Sequence, residues 1–153
     1  NMATIDAVAG TVADVYSGDG IILFLEELGE SMHSIDRMLR SLELRGVLKN
    51  VKGVVLGEFK DYNADLDFED VETMLLKTLE KYDVPVLVGF PAGHGRVNLP
   101  LVMGARTILD VNANGATLSF DMEGETVEID TDKIKSGYPS VEPARRFGRP
   151  FPR

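Results

Sequence analysis

Three short runs of apolar residues constrain this chain most: Ile21-Ile22-Leu23-Phe24-Leu25, Val54-Val55-Leu56 and Val86-Leu87-Val88. An uninterrupted run of that length is the pattern of a strand covered on both faces, whereas a half-exposed strand alternates. Gly18-Asp19-Gly20 reads as a turn before the first run, the second continues into Gly57-Glu58-Phe59, and Pro85 opens the third, which continues to Phe90. Between the first two, Ser31 or Ser34 can cap a helix carrying Ile35, Met38, Leu39 and Leu42 at helical spacing, and Gly46 supplies the stop. Between the second and third, Asp67 is expected to cap a helix carrying Phe68, Val71, Leu75 and Leu79. The order strand, helix, strand, helix, strand implies right-handed crossovers and a parallel sheet.

The downstream half changes character. Leu118, Phe120 and Met122 alternate with polar residues, Gly124 turns the chain, and Val127 and Ile129 alternate back, which predicts an antiparallel hairpin with one solvated face. The expected fold class is therefore α/β, a parallel βαβαβ core with an antiparallel hairpin. Beyond Asp132 the composition is that of turn and coil, ending in an Arg-, Phe- and Pro-rich tail expected to pack on a neighbouring surface or to stay mobile. The expected division is a residual interdomain linker over residues 1–17, the folded domain over 18–132 and an extension over 133–153. Asn1 precedes Met2, from which upstream sequence is expected.

Size and charge narrow the function. The 153 residues can bury one ordinary core, and a net charge of -9 disfavours nucleic acid or an anionic membrane as the main partner. With no cysteine there is no thiolate nucleophile and no cysteine-based zinc site. Asp61, Asp65 and Asp67 lack the glycine and terminal glutamate of a calcium loop, and no glycine-rich loop opens a helix to cradle phosphate. No metal and no cofactor is expected. No run of the chain is long and apolar enough to span a bilayer, and a cytoplasmic location is expected.

Chemistry in a parallel α/β sheet belongs at the carboxyl ends of its strands. There the first strand runs into Glu26-Glu27-Leu28-Gly29-Glu30, and the third is followed by Gly93-His94-Gly95. A carboxylate at a strand end can orient an imidazole, which can then take a proton from a hydroxyl. Flanking glycines let the His94 backbone approach another group closely. Glu26 would be half-buried and in need of a partner, though Glu27 or Glu30 could play the same part. His33 suits a capping or solvated role at a helix start, and Asp36 and Arg37 suit a surface or interface ion pair. Ser17, Ser31, Ser34, Ser41, Ser119, Ser136 and Ser140 include none in a Gly-x-Ser-x-Gly elbow, so the chain reads as two thirds of a hydrolase triad.

Taken together, Ile22-Leu23-Phe24-Leu25-Glu26-Glu27-Leu28-Gly29-Glu30, Ile35-Asp36-Arg37-Met38-Leu39, Gly53-Val54-Val55-Leu56-Gly57, Pro85-Val86-Leu87-Val88-Gly89-Phe90-Pro91, Gly93-His94-Gly95, Asn98 and Leu99-Pro100-Leu101 resemble the LD-carboxypeptidase family. That family includes muramoyltetrapeptide carboxypeptidases and microcin C-resistance peptidases. The resemblance implies a C-terminal domain of the swivelling β/β/α type, and Asn1-Met2 is similar to the close of the family's N-terminal domain. It also implies a Ser-Glu-His triad in which Glu26 and His94 are the catalytic residues of this chain and the serine comes from the missing nucleophile domain. This fragment alone would then be inactive. The implied substrate is a murein tetrapeptide that loses its terminal D-alanine, and a homodimer is the expected assembly. Two alternatives are an acyl-adenylate amide hydrolase of the microcin C branch and a non-catalytic dimerisation or binding module.

Overall fold

The computed structural model describes residues 1–15, 20–63, 70–112, 115–122, 125–130 and 146–147. Strands β1 (Ile21–Leu28), β2 (Val51–Lys60) and β3 (Val86–Leu87) form a parallel sheet in the order β1-β2-β3. Helices α1 (Met2–Ala7), α2 (Met32–Leu44) and α3 (Val71–Leu79) contribute to the core on one face of that sheet. A second, antiparallel sheet of β4 (Arg106–Asn112), β5 (Gly115–Met122) and β6 (Glu125–Asp130) contributes to the core on the other face. The result is a three-layer β/β/α arrangement.

The apolar runs are continuous because each strand of the middle layer feeds two cores. Leu23, Leu25, Val54, Leu56, Val86 and Val88 bury among the helices, with Met2, Ile35, Leu39, Met74 and Leu75. Ile22, Phe24, Val55, Leu87 and Phe90 belong to the opposite core, with Leu109, Val111, Ala116, Leu118 and Phe120 of the antiparallel sheet. Neighbours in sequence thus point to different layers, as the strand period of two requires.

Helix α2 begins as its sequence suggests. Ser31 Oγ accepts from the Ser34 amide at 3.1 Å, and Gly46, at φ +79°, ends the segment in the left-handed region. Helix α3 differs from expectation. Its N-cap is Asp70, whose carboxylate accepts from the Thr73 amide at 2.7 Å and the Thr73 hydroxyl at 2.9 Å. This double acceptance places the start at Val71, while Asp67 and Phe68 lie outside the described residues. Strand β3 is shorter than its apolar run, because Gly89 at φ +70° turns the backbone out of the ladder while Phe90 still donates to the Leu56 carbonyl at 3.0 Å.

Three elements go beyond the sequence reading. The N-terminal stretch carries α1, capped by Asn1 Oδ1 accepting from the Thr4 amide, with Met2 only 1% exposed in the core. The hairpin pairs Phe120 with Val127 and Leu118 with Ile129, and β4 widens it to three strands by pairing Leu109 with Leu118. In the tail, β7 (Arg146–Phe147) adds an antiparallel edge to the parallel sheet, Val86 facing Phe147 and Leu87 facing Arg146. The turn at residues 18–19 and the rest of the extension lie outside the described residues.

An ion cluster ties α2 to the 3-10 turn Glu80–Tyr82 that follows α3. Glu43 accepts from Arg40 Nη1 at 3.0 Å and from the Tyr82 hydroxyl at 2.8 Å, and it contacts the Lys81 ammonium. Lys81 first, then Tyr82 and Arg40, hold the Glu43 carboxyl down at about 2, against an ordinary value of 4.5. Burial, and then Glu43 itself, push the Tyr82 hydroxyl up to about 12. A carboxyl lowered in the folded state stabilises the fold above its unfolded value and loses that contribution as pH falls through the folded one. Glu43→Gln is therefore expected to be less stable than wild type at pH 6, with the gap closing between pH 4.5 and about 2. Urea unfolding at a series of pH values measures this, and a gap independent of pH would contradict the cluster.

Candidate functional site

Strand β1 does not stop at Leu25 but carries Glu26 and Glu27 inside it, both buried. Strand alternation sends the two acids to opposite faces. Glu27 turns to the helical layer, where Oε2 accepts from the Ala3 amide at 2.7 Å and Oε1 from Asn1 Nδ2 at 2.5 Å. It thereby holds the first turn of α1. Glu26 turns the other way, toward the loop that follows β3.

The ladder is irregular at this point. Leu25 pairs with Leu56 and Glu27 with Phe59, so Glu26 alone stands across from both Gly57 and Glu58. Such a bulge re-aims a side chain and commonly borders a functional site. It also brings the loop in close. A Cβ at position 57 would lie 2.5 Å from the Ala92 carbonyl oxygen and 2.9 Å from the Phe24 ring, so only glycine fits there. The Glu58 amide donates to the same carbonyl at 3.1 Å.

The loop itself is pinned at three places. Phe90 is fully buried, the Leu99 amide donates to the Pro91 carbonyl at 2.8 Å, and the Gly93 amide donates to Asn98 Oδ1 at 3.1 Å. Gly93 has φ +125°, and a Cβ there would stand 2.9 Å from Glu26 Oε2. The absent side chain is what allows the loop to rest on the acid.

These constraints put His94 Nδ1 2.7 Å from Glu26 Oε2, with the glutamate side chain 5% exposed and the histidine 45%. The second Glu26 oxygen, Oε1, lies 3.0 Å from the main-chain nitrogen of Asn1. Burial works to raise the Glu26 pKa, but the His94 bond and the Asn1 nitrogen outweigh it and hold the carboxyl below its ordinary value. An ionised carboxylate only accepts, so Nδ1 carries the proton in this contact, and in the neutral ring the outer nitrogen, Nε2, presents a lone pair. The arrangement is an oriented base on a strand-end rim.

The other sequence candidates lie elsewhere. Glu30 is half-buried between β1 and α2, and His33 is exposed in the first turn of α2. Asp36 does not pair with Arg37. It lies 3.4 Å from Arg40 Nε, because residues four apart share a helix face and adjacent ones do not. Arg37 instead reaches Ser34 Oγ at 3.5 Å. Ser31 and Ser34 bond each other at the start of α2, Ser41 is within that helix and Ser119 within β5, while Ser17, Ser136 and Ser140 lie outside the described residues. Among the described residues, no three histidine or acidic side chains converge as metal ligands. No described helix is long and apolar enough to cross a membrane. The sequence marks Gly57 and Glu58 only as a continuation of the second apolar run, and no local pattern announces the bulge that makes them part of the site.

Fold and site together define an α/β domain of the β/β/α type presenting an acid–imidazole pair at a sheet rim. The model of the LD-carboxypeptidase C-terminal domain matches residues 1–109, and the chain belongs to that family. A Synechocystis sp. protein provisionally named a carboxypeptidase is 38% identical over 104 residues, covering 67% of this chain and 34% of the relative. The murein tetrapeptide carboxypeptidase of Pseudomonas aeruginosa is 26% identical over 112 residues, covering 73% of this chain and 36% of the relative. The crystal structure of muramoyltetrapeptide carboxypeptidase from Oxalobacter formigenes superposes with a TM-score of 0.61 at 26% identity, covering 85% of this chain and 42% of that one. The chain thus spans little more than a third of the length of these curated relatives.

Proposed function

We propose that this chain supplies Glu26 and His94 to a Ser-Glu-His triad of a serine-type LD-carboxypeptidase, the serine and the oxyanion donors coming from an N-terminal nucleophile domain. The observation that carries the reading is the 2.7 Å contact between His94 Nδ1 and the buried Glu26 carboxylate. In the assembled site, His94 Nε2 takes the proton of the serine hydroxyl as the oxygen attacks the carbonyl of an L,D-peptide bond. Glu26 keeps the imidazole in the required tautomer and offsets the charge it acquires. The same proton then passes to the departing amine, which leaves as D-alanine from a murein tetrapeptide. On this reading the nucleophile and the oxyanion donors come from the other domain, and the domain by itself is expected to be inactive, since one oxyanion donor alone is typically worth about 10²- to 10³-fold.

A second reading is favoured by the 25% identity over 121 residues to the microcin C7 self-immunity protein of Escherichia coli. In it, the same pair serves cleavage of an aminoacyl adenylate amide. Offering a murein tetrapeptide and an aminoacyl sulfamoyl adenosine to the nucleophile-bearing protein separates the two. Release of D-alanine with the nucleotide analogue left intact is the expected result. Cleavage of the analogue with no D-alanine formed would replace the first reading with the second.

A further inference from the structure

Glu58, the second residue across the bulge from Glu26, is in an unusual state. Its Oε1 lies 3.3 Å from Lys60 Nζ, while Oε2 is sealed from solvent and accepts no hydrogen bond among the described residues. A buried carboxylate oxygen without a donor is costly, and such an atom calls for a reason. What seals it is the His94 loop. A Cβ at Gly95 would stand 1.3 Å from Glu58 Oε2 and 2.0 Å from its carboxyl carbon, so the carboxylate lies directly on the backbone of the residue after His94.

We propose that Glu58 is a positioning residue for His94: its carboxylate seats the loop through Gly95, and its negative charge, added to that of Glu26, favours the imidazolium form of His94. The charged groups on the elements packed at this loop are Glu26 from β1, Arg96 two residues along the loop, and Glu58 with Lys60 from β2. Lys60 Nζ, 3.3 Å from Oε1, offsets part of the Glu58 charge from the solvent side. The catalytic benefit rests on the reading of His94 as general base, but the seat and the charge can be measured without turnover.

The test is an NMR titration of the His94 ring in this chain, which has two histidines, with His33→Gln to assign the signals. Glu58→Gln keeps the side chain's size and removes its charge, and the midpoint of the His94 titration is expected to move to lower pH. An unchanged pKa would overturn the proposal, because a purely structural side chain would leave it where it was. Gly95→Ala places a methyl group on the carboxylate and is expected to shift the His94 signals, and adding Glu58→Ala is expected to return them toward wild type. If Gly95→Ala alone leaves His94 undisturbed, the seat does not exist. In the nucleophile-bearing protein, Glu58→Gln is expected to move the acidic limb of the kcat/KM profile to lower pH. Turnover that survives loss of His94 would remove the triad reading while leaving the titration result in place.

Discussion

In the nucleophile-bearing protein, His94→Ala is expected to lower kcat by about 10³- to 10⁴-fold, and Glu26→Gln to do nearly the same without unfolding the domain. The reasoning starts from the single contact between them. A glutamine at position 26 keeps the shape of the side chain but can present an N–H to Nδ1, which stabilises the tautomer whose Nε2 is already protonated and cannot act as a base. The two changes disable one machine, so the double variant is expected to be scarcely worse than His94→Ala alone. Steady-state release of D-alanine, with circular dichroism as a folding control, reads all three. A His94→Ala protein within ten-fold of wild type would remove the catalytic role proposed for the pair.

Phe90→Ala is expected to destabilise the domain by about 3 to 5 kcal/mol, the usual cost of emptying a fully buried aromatic site. Phe90 is 0% exposed in the core between the two sheets, and its amide holds on to the Leu56 carbonyl after β3 has ended. It is thus both a filler of the core and the last anchor before the His94 loop. Denaturant unfolding would show the loss of stability, and an exchange-broadened His94 signal would show the loosened loop. A loss below about 1 kcal/mol would mean that the neighbouring side chains collapse into the space.

The layered architecture was readable because the three apolar runs have no other use in a chain this acidic: a strand with two cores must be apolar at every position. Strand β4 stayed hidden because Ile108 points outward and is 62% exposed, which spoils the alternation set by Thr107, Leu109 and Val111. Helix α1 is six residues long and takes part of its N-terminal capping from Glu27, a residue 24 positions away, so no local pattern announces it. The choice among Glu26, Glu27 and Glu30 was open for a related reason. All three follow the same run, and only the layer that each face meets decides which acid touches the imidazole. Strand parity alone pairs Phe24 with Glu26 and Leu25 with Glu27, but it does not say on which side the His94 loop lies.

The mismatch in residue count between β1 and β2 has a consequence for how this segment can vary. Deleting Gly57 or Glu58 would let the two strands zip evenly, yet it would carry the Ala92 tether and the Gly95 seat out of reach and turn the residues beyond to the opposite side. Variation at this spot should therefore spare the number of residues: the spacing itself holds the loop in place, with no side chain of its own.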